Sequence, residues 1–160
     1  MGYQLVTPEM CNNIETLSYQ IRDIIQQGEG FAIQVYYRKD SETCFRTYFE
    51  DLNGEHQTKM DLKYFAPFGS MTIQNILFEN RHKGTGTEIL TLLKEWAKAY
   101  GIKQVIIESV LSIEMSKCAI KNGFMPDRSS GQDIYLGSMF DETIPKQLIF
   151  AGNYIYEVEA

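Results

Sequence analysis

The sequence predicts an α/β chain (α+β by strand count): a mixed, strongly twisted central sheet with helices on both faces and a splayed pair of parallel strands. Three observations carry this. An apolar run from Met71 to Phe78 passes through Glu79-Asn80-Arg81-His82-Lys83-Gly84-Thr85-Gly86 into an amphipathic helical pattern, Thr87 to Tyr100. A second buried-strand pattern, Gln104 to Glu108, follows Gly101, and a strand–helix–strand unit of this length sets its two strands parallel. Earlier, Phe31 to Arg38 and Thr43 to Phe49 are rich in β-branched and aromatic residues and read as an antiparallel hairpin around Lys39-Asp40-Ser41-Glu42.

The remaining elements follow in chain order. After a short apolar segment, Tyr3 to Val6, the run Thr7-Pro8-Glu9 places a cap, a proline at the first helical position and an acid in the first turn. Met10, Ile14, Leu17, Ile21, Ile24 and Ile25 recur at helical spacing, so one face of this helix is core, and Gly28 and Gly30 end it. Glu55 to Gly69 lacks a period that chooses strand over loop, and it reads as a packed connection or a substrate-groove lining. In the helix after Gly86, Ile89, Leu92, Leu93, Trp96 and Tyr100 share a face, which makes Trp96 a core residue, and Gly101 stops the helix. A short helix from about Ser112 ends at Lys121-Asn122-Gly123-Phe124. The tail from Ile134 is apolar enough for a final strand or for a homodimer contact.

Composition narrows the function classes. The chain has 160 residues, 44% hydrophobic and 22% charged, as expected of one globular domain spanning 1–160. No apolar run reaches membrane-spanning length, and Met-Gly-Tyr-Gln-Leu is no signal peptide, so no membrane association is expected. Cys11, Cys44 and Cys118 fit neither a disulfide framework nor a metal knuckle; buried free thiols and a reducing cytoplasm are the expectation. A net charge of −6 with scattered Lys and Arg argues against nucleic acid. It serves solubility first and would also favour a cationic amine. No His, Cys or acidic grouping has metal-ligand spacing, and neither a Gly-x-Ser-x-Gly elbow nor a Gly-Lys-Ser/Thr phosphate loop is present.

The junction at Glu79 to Gly86 is where chemistry is written. Two glycines let the backbone approach a ligand closely, and a helix start leaves amide N–H groups unpaired. The positive end of the helix dipole favours an anion there, and Arg81 and Lys83 add full charges. Together they describe a pyrophosphate cradle.

Arg81-x-x-Gly84-x-Gly86, with a strand before and a helix after, resembles the acyl-CoA site of the GNAT superfamily of N-acetyltransferases. Lys121-Asn122-Gly123-Phe124 is similar to the family's second landmark, and the resemblance covers roughly Met71 to Pro126. It implies acetyl-CoA as co-substrate and an amine acceptor. Ile76, Leu77 and Phe78 would pair with the pantetheine arm, and Arg81, His82, Lys83, Gly84, Thr85 and Gly86 would hold the pyrophosphate. The chain also departs from the family. Ala119 stands where many members have a tyrosine that protonates the departing thiolate, and Ser112 where many have asparagine near the start of the same helix. The candidates for the catalytic work are therefore Glu108 at a strand end, Ser112 (also a cofactor contact, and first a helix cap) and Tyr135, with Cys118 read as a core thiol. The same departure supports a second reading, a non-catalytic acyl-CoA-binding or interaction module.

Overall fold

The computed structural model describes residues 4–52, 58–76, 84–138 and 141–159. Among these residues three helices, α1 (Pro8–Glu29), α2 (Thr85–Ala99) and α3 (Ile113–Lys121), accompany eight strands. These are β1 (Ile33–Ser41), β2 (Cys44–Asp51), β3 (Thr58–Phe65), β4 (Ser70–Gln74), β5 (Gln104–Val110), β6 (Met125–Pro126), β7 (Gln132–Leu136) and β8 (Gln147–Glu157). The sheet runs β1-β2-β3-β4-β5-β8-β6, with β7 pairing the first half of β8. All pairs are antiparallel except β4 and β5, the parallel pair expected from the strand–helix–strand pattern.

Helix α1 forms as its start signal dictates: Thr7 accepts from the Met10 amide at 3.0 Å, and Pro8 supplies a preset φ at the first position. Its apolar stripe, Ile14, Leu17, Ile21 and Ile25, is at most 1% exposed. Truncating any one of these to alanine would cost about 2–5 kcal/mol. The helix runs through Gly28 and closes at Gly30, whose φ of 82° only glycine adopts freely. Gly28 therefore does not end the helix, contrary to the sequence reading. It is needed where α2 crosses, because a Cβ there would lie 2.0 Å from Thr85 Oγ1.

Cross-strand register sets Phe45, Tyr64, Met71, Val105 and Tyr156 side by side on one face of the sheet. Tyr37 stacks on Phe45 there, with ring centroids 5.8 Å apart, and α1 packs beside α2, with Gly28 against Thr85. Lys94 of α2 lies over the Tyr156 ring at 5.3 Å, and Ser116 of α3 bonds Tyr154 on the same face. All three described helices thus share one face, where the sequence reading expects helices on both. The other face explains this: Tyr36, Arg38, Arg46, Tyr48 and Glu50 are half-buried or exposed, and a largely antiparallel sheet can leave a polar face to water.

The region without a readable period becomes a strand, β3, because Met60, Leu62 and Tyr64 all turn into the core. Trp96 is buried as expected, and the tail forms β8 against β5. Cys11, Cys44 and Cys118 are free and half-buried rather than fully buried. No helix among the described residues is long and apolar enough to cross a membrane.

Candidate active site

The parallel pair holds register from Ser70↔Gln104 to Ile73↔Ile107 and then separates. Beyond that point both strands bend through a left-handed residue, Asn75 (φ 54°) after β4 and Ser109 (φ 56°) within β5. Such a conformation is costly for side chains other than Gly, Asn and Asp, so each bend needs an anchor. Asn75 donates from Nδ2 to Asp61 Oδ2 at 2.9 Å, while the Ser109 amide donates to Asn153 Oδ1 at 2.9 Å.

The separation opens a cleft of about 500 Å³ through the sheet. Ile73, Ile107, Ser112 and Met115 line it on the helix side, and Arg46, Gln74 and Glu108 on the helix-free side. Helix α2 connects the two parallel strands and so runs back against them, which brings its N-terminus to the end where they diverge. That terminus carries no side-chain cap. Gly84, at φ 75°, turns the chain into the helix, and a Cβ there would meet nothing within 4 Å. As at any helix start, the first-turn amides have no intrahelical partner.

The predicted site residues fall out as follows. Ile76 and Glu108 line the cleft, both half-buried. Ser112 also lines it and caps α3, accepting from the Met115 amide at 3.1 Å. Gly84, Thr85 and Gly86 form the start of α2, and Thr85 turns its side chain into the contact with Gly28 of α1. Tyr135, on β7, is 70% exposed and does not line the cleft. Leu77, Phe78, Arg81, His82 and Lys83 lie outside the described residues. Ala119 is fully buried in the core cluster, and Met115, one turn earlier on α3, is the residue that reaches the cleft. Among the described residues no grouping of His, Cys, Asp or Glu could hold a metal ion.

Sequence reasoning missed Arg46 and Asp61. Arg46 sits on the exposed-side register of β2, held by Asp40 through Nε at 2.5 Å and by Gln74 Oε1 through Nη1 at 3.0 Å. Asp61 is 5% exposed, and its second oxygen, Oδ1, has no hydrogen-bond partner among the described residues. Burial raises its pKa, against the Asn75 hydrogen bond and the pull of Arg46 and Arg38. Asp40 is shifted the other way, held low chiefly by its bond from Arg38. The alternation Met60-Asp61-Leu62-Lys63-Tyr64 was the available signal for a strand here, though not for the burial of its acid.

No family model matches the chain, and no curated protein matches it either. Solved structures of similar arrangement include the ribosomal-protein-S18-alanine N-acetyltransferase from Escherichia coli, at 11% identity and TM-score 0.45, covering 98% of this chain and 92% of that one. A Bacillus subtilis acetyltransferase in complex with CoA gives 13% identity and TM-score 0.43, covering 79% of this chain and 99% of that one. Nourseothricin acetyltransferase gives 14% identity and TM-score 0.41 over 73% of this chain, which spans 66% of that protein's length. At these identities and scores the likeness assigns neither activity nor substrate.

Proposed function

We propose that residues 1–160 form one acetyl-CoA-dependent N-acetyltransferase domain that transfers the acetyl group to a primary amine. The observation that carries this is the cleft at the diverging ends of β4 and β5, with the uncapped N-terminus of α2 at the same end of the sheet. Such an opening offers strand-edge N–H and C=O groups to a pantetheine arm and first-turn amides to a pyrophosphate. In this reading Ile76, Leu77 and Phe78 pair with the arm, while Arg81, His82, Lys83, Gly84, Thr85 and Gly86 hold the phosphates. Ser112 at the head of α3 contacts the thioester end.

In the reaction an ammonium first gives up a proton, to Glu108 through water or to solvent. The neutral nitrogen then attacks the thioester carbonyl, the C–N bond forms and the C–S bond breaks. The nitrogen's second proton ends on the departing thiolate sulfur. Burial of Ala119 removes the usual donor position from the cleft, so water or the Ser112 hydroxyl assists that last transfer. Tyr135, exposed and away from the cleft, has no part in this scheme.

Titration calorimetry with acetyl-CoA tests the reading. The parent should bind, and an Arg81→Glu, Gly84→Asp double variant should bind at least about tenfold more weakly, since two phosphate contacts become repulsive. Equal affinities would remove the site assignment. Ala119 also favours the second reading, a non-catalytic acyl-CoA-binding module. Thiol release from acetyl-CoA with any of a panel of polyamines, aminoglycosides, amino acids and basic peptides would exclude it.

A further inference from the structure

The cleft is lined from both faces of the sheet, and the two sides differ in chemistry. On the helix side the lining is apolar apart from the head of α3. On the helix-free side stand the only charged side chains among the described cleft residues, Arg46 and Glu108. They come from different strands on opposite lips: Arg46 reaches across from β2 to Gln74 of β4, and Glu108 belongs to β5. The cleft is thus bipolar across its width.

Arg46 is built in rather than left loose. Asp40 holds its Nε and Gln74 its Nη1, and its side chain is only 25% exposed. A guanidinium has more donors than these contacts use, in a planar fork suited to a carboxylate. Ordering such a side chain at a cleft wall costs rotamer entropy, and the fork is already oriented before any ligand arrives.

All three described helices, including α2 with its anion-binding start, occupy the opposite face. A cofactor lying along them leaves the helix-free mouth for the other substrate. We propose that the acceptor enters from the helix-free face and is an amine that also carries a carboxylate, the carboxylate seated on Arg46 and the amine directed toward Glu108. This rests on the acetyltransferase reading and adds a substrate class to it: amino acids and close relatives, rather than polyamines or simple alkylamines. The chemistry is unchanged, with one proton leaving the ammonium before attack and the second passing to the thiolate.

The experiment compares each common amino acid with its own carboxamide as acceptor for acetyl-CoA, reading kcat and KM by thiol release. Where turnover is too slow, the same pairs are titrated calorimetrically into the CoA-loaded protein. The parent should favour at least one amino acid over its amide by about 10- to 100-fold, the range for a charge-assisted bond, with the difference in KM or Kd. Arg46→Gln should erase that preference, bringing the amino acid's KM or Kd to that of its amide. Arg46→Lys should restore part of it, since the charge returns without the fork. Amide and acid handled equally by the parent, or an equal loss for both in Arg46→Gln, would overturn the proposal while acetyl-CoA binding kept the acetyltransferase reading in place. Failure of acetyl-CoA to bind would instead remove that reading, and this one with it. The acid-against-amide comparison needs the parent alone, so a poorly folded variant does not spare the proposal.

Discussion

Asn75 and Ser109 face each other across the cleft with nearly the same backbone twist, φ 54° and 56°, yet the structure behind each is of a different kind. Behind Ser109 the anchoring hydrogen bonds run between neutral groups, and the nearest charge is Arg128 over the Phe150 ring, paired with Asp133. Its amide is held by Asn153, whose own amide donates to Ser130 Oγ at 2.8 Å. The next residue, Tyr154, is fully buried and donates its hydroxyl to the Phe150 carbonyl at 2.8 Å. With that proton committed, the Ser116 hydroxyl, 2.7 Å away, must be the donor in its bond to Tyr154. Behind Asn75 the anchor is a carboxylate, Asp61, in a layer that also holds Arg46, Asp40 and Arg38. The same bend is therefore anchored by neutral hydrogen bonds on one lip and by a carboxylate on the other, and only the second should respond strongly to pH and salt.

The largest test of that contrast is Tyr154→Phe. It strands the Phe150 carbonyl and the Ser116 hydroxyl in the core, and should cost about 1–3 kcal/mol. For a chain of this size that lowers Tm by roughly 2–4 °C per kcal/mol. Melts at several pH values and salt concentrations should show the same loss in each. A loss that varied with pH would break the comparison from the neutral side.

Next come the two bends. Ser109→Gly relieves a left-handed serine, worth about 1–2 kcal/mol, against an entropic cost of about 0.5–1 kcal/mol, so a net gain of up to about 1.5 kcal/mol is expected. Asn75→Gly should gain less or lose stability, because asparagine tolerates this conformation and its bond to Asp61 disappears. Denaturant titration of both variants side by side measures the difference. Equal gains would mean that the Asp61 bond contributes nothing to the β4 lip.

Asp61→Asn is a smaller effect with a definite sign. Because burial raises the folded carboxyl above its ordinary 3.8, the folded state holds the proton more tightly than the unfolded one. The parent is then relatively more stable below 3.8 and loses that advantage as pH rises through the folded pKa. Asparagine keeps an acceptor for Asn75 without the buried charge, so the variant should melt higher than the parent at pH 7–8 and converge with it near pH 3. A variant less stable at neutral pH would show that Arg46 and Arg38 outweigh the burial. Smallest is Asp40→Asn, which loosens the bonds to Arg38 and Arg46 and should cost about 0.2–1 kcal/mol, more at low salt than at high.

Local signals carried well where chemistry and geometry are settled within a few residues. Thr7-Pro8 started a helix, Gly30 and Gly101 stopped two, and the Ile14–Leu17–Ile21–Ile25 stripe became core because a helical period leaves only one face to bury. The strand–helix–strand pattern was enough for a parallel pair. Gly28 was misread because glycine as a stop and glycine as a crossing point look alike in one dimension, and only the approach of Thr85 separates them. Of the candidate site, Glu108 and Ser112 were legible from a strand end and a helix cap, and Ile76 from the family resemblance; all three line the cleft. Tyr135 could not be excluded, since exposure on β7 depends on how β8 bends between its two partners.

By itself the sequence determined the helices, the hairpin, the parallel pair and the core stripes, because each rests on neighbours within a turn or two of chain. The tertiary structure alone decided that the helices share a face, that Arg46 crosses from β2 to the β4 lip, and that Asp61 is buried beneath it. Those residues are 13 to 28 positions from their partners Asn75, Tyr48 and Gln74, as the separations 14 and 28 of the two hydrogen bonds and the Tyr48↔Asp61 register show. A side chain's charge state and reach depend on what strand pairing brings beside it, and no local period records that.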